Sequence, residues 1–489
     1  MIWIMQRIKI VSLVLTVGAQ FASLADDHYA AQNGQTPGGN YASWETAASN
    51  IQDAVNAATT NDTVWVGAGR YTVPPNFTNY AGTNVVFINK PLTLRSSNGV
   101  PESTIIDGGG SNRGIAASYP FNSTNKFVVD GFTISNCLAI TIGGGIFFDC
   151  PISSGNAWTG VVQNCIIQGN TVVYGPGTTN PPIPASGGYI ASGALGGAIG
   201  SHNRDSFFGL ILSNCVFRDN LATNALAPET SGGLGGAVYL ASKGQKIVSL
   251  CQFQNNRAYR GGGAYLTGGR LTVDNSVISG NRVGYGSQSF GGGFFILAST
   301  TLRNCLMYGN NTYAGRGSAL NMELYGSNGV LELFNCTVVS NNGAAVYIRP
   351  IGQAQGYSPS LHLVSSVVYS NSTDISLGAS SGGPPDNYSS YASNSCLGST
   401  NSASIMYGPT NLLYFKGYSS GNITNNPRFV SYAAQDFRLS PGSPCVNMGF
   451  NQDWITNAVD LDGNQRLRYG TVDMGAYELV YEGTEFRLR

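Results

Sequence analysis

The sequence predicts an all-β protein in which short strands stack as the coils of a single-stranded parallel β-helix, or β-solenoid, behind a short N-terminal capping helix. One unit recurs along most of the chain. Residues 214–220 (NCVFRDN) lead to residues 235–239 (GGAVY), and residues 251–256 (CQFQNN) lead to residues 261–265 (GGGAY). Each unit predicts a strand with alternating apolar and polar residues, an Asn turn, a Gly-Gly turn and a second, apolar strand.

The spacing of the units supports one coil per unit. Successive units are offset by roughly 25–36 residues, with one longer gap where residues 171–195 are inserted. A β-propeller has a comparable period, but it needs four hairpin-joined strands per blade, and the units quoted contain no Asn-Gly hairpin turn. We therefore predict a β-helix.

Composition limits the class of protein. The 489 residues include 25 Lys and Arg and 25 Asp and Glu, and only 10% of the chain is charged. A net charge of zero argues against a nucleic-acid binder and against a polybasic membrane-surface protein. With 42% hydrophobic residues, the chain has enough apolar material for a long core.

The N-terminus predicts export. Arg7 and Lys9 precede an apolar stretch at 10–17, and small residues at 23–25 precede Asp26. This pattern is typical of a signal peptide over residues 1–25, with an uncleaved anchor as the alternative. We expect a secreted or cell-surface protein with no transmembrane segment after cleavage.

Three further regions follow from the pattern. Residues 26–60 are a lead-in and N-terminal cap, in which residues 44–58 carry apolar side chains at helical spacing, with Ser43 or Ser49 available as the helix cap. Such a helix would cover the first exposed strand edge. Residues 61–425 are the parallel β-helix, and residues 426–489 form a C-terminal closing module.

Three positions of the unit hold the same residue type in successive coils. The first Asn column is Asn136, Asn164, Asn214, Asn275, Asn304 and Asn335; the next position holds Cys137, Cys165, Cys215, Cys251, Cys305 and Cys336; the second Asn column is Asn170, Asn220, Asn256, Asn281, Asn310, Asn341 and Asn371. We expect both Asn columns to form side-chain amide ladders.

The cysteine column predicts buried thiols rather than disulfides. Stacked side chains keep their Cβ atoms about one strand spacing, ~4.8 Å, apart, which is wider than the ~3.8 Å that a disulfide prefers. Cys396 and Cys445 lie outside the column and could pair, and the sequence leaves this open.

These repeats resemble known families. Residues 217–220 and 253–256, each followed by a Gly-Gly-Ala type of turn, resemble the repeats of polymorphic outer-membrane proteins and, more widely, the right-handed parallel β-helices of the pectin-lyase-like superfamily. Residues 436–445 and 460–478 resemble the choice-of-anchor module at the C-terminus of many secreted bacterial β-helix proteins. The resemblance implies a right-handed coil and a range of activities that includes lyases, hydrolases and adhesins.

One aromatic column is a candidate carbohydrate-binding surface. Its members each follow a residue expected to face the core, so alternation turns them outward: Phe147, Tyr239, Tyr265, Phe295 and Tyr347. Aromatic rings pack on the apolar faces of sugars. The alternatives are that the rings stack on one another between coils or lie beneath loops. Insertions at 171–195, 221–234 and 282–290 would form a lip beside the column.

Two groups of polar residues are further candidates. Arg204, Asp205, Asp219, Arg257 and Arg282 form either a basic patch for an acidic glycan or solvated turn charges, and they match no polygalacturonase or pectate-lyase motif. Asp460, Asp462 and Asn464 have a spacing that can wrap Ca²⁺, although the distant Glu of a full calcium loop is missing. The alternative for this second group is a structural turn in the closing module.

The sequence favours a glycan-binding or adhesive β-helix protein whose partner is a polysaccharide or cell-surface glycan. The alternative is a polysaccharide lyase or glycoside hydrolase acting near the charged cluster. A glycosidase needs two carboxylates across the scissile bond, and no such pair is evident in the coils. We expect no cofactor other than calcium.

Overall fold

The computed structural model describes most of the chain. It covers residues 25–74, 83–118, 126–149, 158–175, 193–202, 206–225, 232–325, 329–351, 359–378, 390–398, 405–407, 415–418 and 421–481. The predicted signal peptide, apart from residue 25, lies outside these residues, as do Arg204 and Asp205.

Parallel strands stack in three long sheets, which confirms the predicted β-helix. Sheet 1 contains Asp27–Ala30, Thr63–Val66, Thr93–Ser96, Lys126–Asp130, Thr159–Gln163, Gly209–Ser213, Lys246–Ser249, Leu271–Asp274, Thr300–Arg303, Val330–Phe334, Ser360–Val364, Ser390–Ser393 and Phe415–Tyr418. Sheet 2 contains Gly69–Tyr71, Thr104–Asp107, Thr133–Ser135, Ile166–Gln168, Val216–Arg218, Gln252–Gln254, Val277–Ser279, Leu306–Tyr308, Thr337–Val339, Val367–Tyr369 and Cys396–Leu397. Sheet 3 contains Asn84–Ile88, Arg113–Ser118, Ile146–Asp149, Ile199–His202, Val238–Ala241, Ala264–Thr267, Phe294–Leu297, Leu320–Tyr325, Ala344–Ile351, Thr373–Leu377 and Ile405–Tyr407.

The predicted insertions begin as strands rather than as loops. A short parallel sheet lies between sheets 2 and 3 and contains Leu138–Ile140, Thr171–Tyr174, Leu221–Asn224, Arg257–Ala258 and Arg282–Val283. Two smaller sheets pair Ala194–Leu195 with Gly233–Leu234 in parallel, and Phe429–Ser431 with Asp436–Leu439 in antiparallel orientation. The remaining elements are an α-helix, Ile51–Ala57, and two 3₁₀ turns, Pro101–Ser103 and Asp453–Ile455.

The Gly turns allow the chain to enter sheet 3. Gly261 has φ = 63°, and a Cβ at this position would stand 2.2 Å from the carbonyl oxygen of Ala264. Only glycine fits both this left-handed backbone conformation and this close approach of the next strand. The recurring Gly in the repeat is therefore a requirement of the turn.

The N-terminal helix covers the start of the solenoid, but it is shorter than expected. It spans Ile51–Ala57, and its N-cap is Asn50, whose side chain accepts a hydrogen bond from the Asp53 N–H at 2.9 Å, rather than Ser43 or Ser49. Gln52 pairs with both backbone groups of Phe87 in the first strand of sheet 3. The strand Asp27–Ala30 already belongs to sheet 1, so coil stacking begins before residue 61.

The second Asn column forms a continuous ladder inside the turns. Each side-chain N–H₂ from Asn170 to Asn341 donates to the side-chain oxygen of the next Asn at 2.9–3.1 Å. The same oxygen also accepts the backbone N–H of the preceding Asn, as from Asn256 to Asn281 at 3.0 Å. The side-chain amides thus form a ladder through the buried turns, as predicted.

The cysteine column consists of free, buried thiols, which confirms the interpretation from the sequence. All six thiols lie in the apolar interior, at 2% relative exposure or less. Each of the six sulfurs donates to the carbonyl two residues before it; the distance is 3.0 Å at Cys165. Cys396 and Cys445 are also free and buried.

The C-terminal module lies along the side of the coils rather than across the last one. Asn275, Asn304, Asn335 and Asn394 donate side-chain N–H groups to carbonyl oxygens of the module. The first Asn column therefore forms only a partial ladder, and in the later coils its amides bind the module. The module also packs Phe437 and Ala476 on Leu306 and Val339 of sheet 2.

Candidate functional site

The predicted aromatic column exists, but it is buried. Phe147, Tyr239, Tyr265, Phe295 and Tyr347 are 1–6% exposed, so the expectation of an exposed aromatic stripe was wrong. The alternation of side-chain direction along each strand does turn these rings away from the main core. Phe147, Tyr239, Tyr265 and Phe295 belong to a separate apolar cluster. The rings stack between coils: Tyr265 and Phe295 have centroids 4.8 Å apart and planes 3° apart.

The residues before and within the Gly turns cover this column. Ile142, Leu195, Leu234, Phe290 and Ala314 pack on its rings. The described lip residues Leu195, Leu234 and Phe290 therefore lie over the aromatic side chains instead of beside them. The five aromatic rings therefore offer no exposed face to a sugar.

An open pocket lies where the chain leaves the second Asn ladder. Residues that directly follow the ladder line it in consecutive coils: Arg257, Arg282, Asn311, Asn342 and Ser372. Their backbones remain in register, through the pairing of Arg257 with Arg282 and bridges from Arg282 to Asn311 and from Asn311 to Asn342. The fold thus brings five side chains into one row on the surface.

Two exposed tyrosines complete the pocket. Tyr285 and Tyr313 are 58% and 63% exposed, and their ring centroids are 4.9 Å apart with planes at 72°. The pocket encloses about 440 Å³, which falls within the usual range for small-ligand sites. We call it the arginine–tyrosine pocket, defined by Arg257, Arg282, Tyr285 and Tyr313 with the amides of Asn311 and Asn342.

The described part of the pocket is positively charged. Its described lining residues include two arginines and no carboxylate. Burial and the neighbouring Arg282 lower the pKa of Arg257, while Tyr285 acts in the opposite direction. Two like charges held in register repel one another, so an anionic group placed between them would relieve that repulsion.

The predicted charged cluster is only partly assembled. Arg257 and Arg282 meet in the pocket, as the basic-patch interpretation requires. Asp219 stands on an exposed left-handed turn (φ = 57°) before Asn220 and does not line the pocket. Arg204 and Asp205 lie outside the described residues.

The sequence interpretation overlooked the tyrosines and amides of the pocket. Asn311, Asn342 and Ser372 occupy the same position after the second Asn as the two arginines, so the repeat alignment could have identified them. Tyr285 and Tyr313 lie in turns of different length and share no position in the unit. Only the folded turns show that their rings meet.

The acidic turn of the C-terminal module is closed by hydrogen bonds. Asp460 is 1% exposed; its carboxylate accepts N–H groups from Asp462, Asn464 and Glu478, at 2.8 or 2.9 Å. Asp462 accepts two hydrogen bonds from Arg438 at 2.6 and 3.1 Å. These donors present positive hydrogens to the oxygens that calcium would need, so the contacts favour the structural alternative. Calcium binding stays a prediction.

The described ranges contain neither a candidate metal centre nor a membrane-spanning helix. Within them, no group of three or more His, Cys, Asp or Glu side chains has an arrangement that could hold a metal ion. No helix in the same ranges is long and apolar enough to cross a bilayer.

Comparison with known proteins supports the fold. Residues 196–389 match the family model described as a right handed beta helix region. A metabotropic glutamate receptor-like protein R of Dictyostelium discoideum is 28% identical over 167 residues, which cover 34% of this chain and 9% of that protein. The chain therefore spans less than a tenth of the length of this curated relative.

One solved structure has a similar architecture. The crystal structure of pectate lyase Pel9A superposes with a TM-score of 0.46 and 13% identity, over 93% of this chain and 97% of that one. The stacked parallel sheets and the matched family region together show a right-handed parallel β-helix.

Proposed function

We propose that this chain is a secreted or cell-surface glycan-binding protein whose arginine–tyrosine pocket binds an acidic polysaccharide. The observation that carries the proposal is the in-register pair Arg257 and Arg282 beside two exposed tyrosine rings. The residues at 1–25 support export, since they have the pattern of a signal peptide.

The chemistry of each part fits a sugar acid. A guanidinium binds a carboxylate or sulfate group through paired N–H donors. The tyrosine rings offer flat apolar surface to the C–H face of a pyranose ring. The side chains of Asn311 and Asn342 supply donors and acceptors for sugar hydroxyl groups. A row that continues from coil to coil suits a polymer better than a single small molecule.

The absence of a carboxylate among the described lining residues favours binding over hydrolysis. Glycoside hydrolysis uses two acidic side chains on opposite sides of the bond. The alternative, a lyase or hydrolase, therefore has no assembled acid–base pair among the pocket residues that the structure describes, and a binding function needs none.

The test is a glycan-array screen of the purified mature protein, followed by titration of each hit. We expect uronic-acid or sulfated glycans to bind and neutral ones to bind weakly. The Arg257→Gln/Arg282→Gln variant should lose at least 10-fold in affinity, corresponding to about 1.4 kcal/mol. Tyr313→Ala should lose roughly 3- to 10-fold through the missing ring contact.

Two matched variants serve as controls. Arg218→Gln removes an exposed arginine whose Nε binds Gln168 on sheet 2, away from the pocket. Tyr469→Ala removes a 46% exposed ring of the C-terminal module. Both should bind as the wild type does. Equal losses in all four variants would refute the proposal, and release of shortened products would favour the lyase or hydrolase.

A further inference from the structure

Three arginines surround one ring on the cover of the aromatic column. The guanidinium carbons of Arg260, Arg316 and Arg349 lie 5.8, 5.3 and 5.9 Å from the ring centroid of Phe290, which is itself 3% exposed. Because each is within 5.9 Å of the same centroid, they lie within about 12 Å of one another. We call these three residues the arginine lid.

The described contacts of the lid leave an excess of positive charge. Glu323 pairs with Arg349 at 2.9 Å, and its side chain is 4% exposed. Arg260 donates to the backbone and side-chain oxygens of Gln288, which are neutral. The exposed Arg316 stands over Phe290 and Tyr347, and no ion pair joins its guanidinium to any described carboxylate. Among the described residues, three cations thus face one anion.

A buried amide lies directly beneath the lid. Asn321 occupies the aromatic column in register between Phe295 and Tyr347, the rings on which Arg260 and Arg316 stand. It is 0% exposed, and neither its Oδ1 nor its Nδ2 has a hydrogen-bond partner. An unsatisfied buried polar group costs about 1–3 kcal/mol, so its retention among aromatic rings needs a reason.

We propose that the arginine lid and Asn321 form a second binding site, which takes an anionic oxygen group, a carboxylate or a sulfate ester, of a ligand. The three guanidinium groups supply charge and paired N–H donors, and the buried Asn321 amide adds an N–H donor once the exposed Arg316 side chain moves aside for the ligand. The rings of Phe290 and Tyr347 exclude water and so strengthen these interactions. The site does not depend on the arginine–tyrosine pocket, which is built on the row of residues after the Asn ladder.

The test uses two small probes, sulfate and glucuronate, at constant ionic strength. Titrations are made by calorimetry in the Arg257→Gln/Arg282→Gln protein, so that the arginine–tyrosine pocket does not contribute. We expect at least one probe to bind, and its identity separates a sulfate ester from a carboxylate as the natural group. Adding Arg316→Gln should raise the dissociation constant about 10-fold, whereas adding Arg218→Gln should leave it unchanged.

A second variant separates binding from folding. Asn321→Leu should fold with a melting temperature at or above that of the parent, because it removes two unsatisfied polar atoms. It should also bind the probe more weakly. The proposal is overturned if neither probe binds, or if the Arg316→Gln and Arg218→Gln additions change the affinity equally.

Discussion

Arg466 of the C-terminal module donates from Nε to the side-chain oxygen of Asn304, a residue of the first Asn column, at 2.8 Å. The same guanidinium is 0% exposed, pairs with Glu478 at 2.6 Å and donates to the carbonyl oxygens of Asn335 and Gly475. One side chain thus joins two coils of the solenoid to the module that lies along them.

Replacing Arg466 should release the module. Arg466→Met leaves Glu478 buried without its cation, and breaking a buried pair in this way costs about 3–5 kcal/mol. We expect faster hydrogen exchange and proteolysis within residues 426–481, while residues 27–258 keep their protection. Hydrogen exchange followed by mass spectrometry measures both regions in one experiment.

The matched control for this prediction is the double variant Arg466→Met/Glu478→Gln. It removes both charges and keeps an oxygen for the Asp473 N–H, which Glu478 accepts at 3.1 Å. The double variant should regain part of the lost protection. If Arg466→Met alone leaves the protection of the module unchanged, the module is not held by this pair.

The Asn ladder should be the most sensitive polar element of the coils. Asn256→Ala removes the acceptor of the Asn220 backbone and side-chain N–H groups, and the donor to Phe217 O and Asn281 Oδ1. We expect a loss of about 2–4 kcal/mol in the free energy of unfolding, because several buried groups lose their partners together. Denaturant titration measures this loss.

The neighbouring residue provides the control. Asn255 is exposed and has φ = 55°, a conformation that glycine adopts without strain. Asn255→Gly should change the free energy of unfolding by about 0.5 kcal/mol or less. Similar losses at 255 and 256 would mean that burial in the ladder is not what gives Asn256 its importance.

The repeat made the fold predictable, because each coil supplies the same residue at the same turn. The ladder at Asn256 and the thiol at Cys251 follow from position alone. The burial of Tyr265 does not, since it depends on Phe290, Leu234 and other residues in turns of unequal length. For the same reason the contact between Tyr285 and Tyr313 could not be predicted. The neighbouring positions of Arg257 and Arg282 could, because both directly follow the second Asn of the unit.

Asp62 should make the N-terminal cap sensitive to acid. Burial alone would raise the pKa of Asp62, but hydrogen bonds from Asp26, Thr59 and His28 outweigh it and hold the pKa below its ordinary value. A lowered pKa stabilises the fold above the unfolded-state pKa of about 3.9, and this contribution disappears as pH falls through the folded-state value.

Asp62→Asn should be less stable than the wild type near pH 6, and the difference between their melting temperatures should shrink below about pH 4. A difference that is constant with pH would contradict this assignment.

The turn at Asp460 should hold its shape without calcium. Its oxygens already accept N–H groups, so we expect EDTA and added calcium to shift the melting temperature equally little. Asp460→Ala should destabilise the module in either solution, because the buried N–H groups of Asn464 and Glu478 lose their acceptor. A calcium-dependent rise in melting temperature that Asp460→Ala abolishes would instead support calcium binding at this turn.

Cys396 and Cys445 should be the pair of described cysteines that an oxidant can join. Both thiols lie in one buried cluster between the last coils and the C-terminal module. A hydrogen bond with Cys445, together with burial, raises the pKa of Cys396. A raised pKa makes the reactive thiolate scarce, so the disulfide should form slowly in the folded protein.

Mild oxidation followed by non-reducing peptide mapping should yield a link between Cys396 and Cys445. It should yield none within the column from Cys137 to Cys336, where neighbours stand about one strand spacing apart. The disulfide would close a loop of about 50 residues and should stabilise the module against unfolding by roughly 2–4 kcal/mol. Cys445→Ser should abolish that gain while leaving the reduced protein folded, and links within the column would contradict the parallel stacking of its thiols.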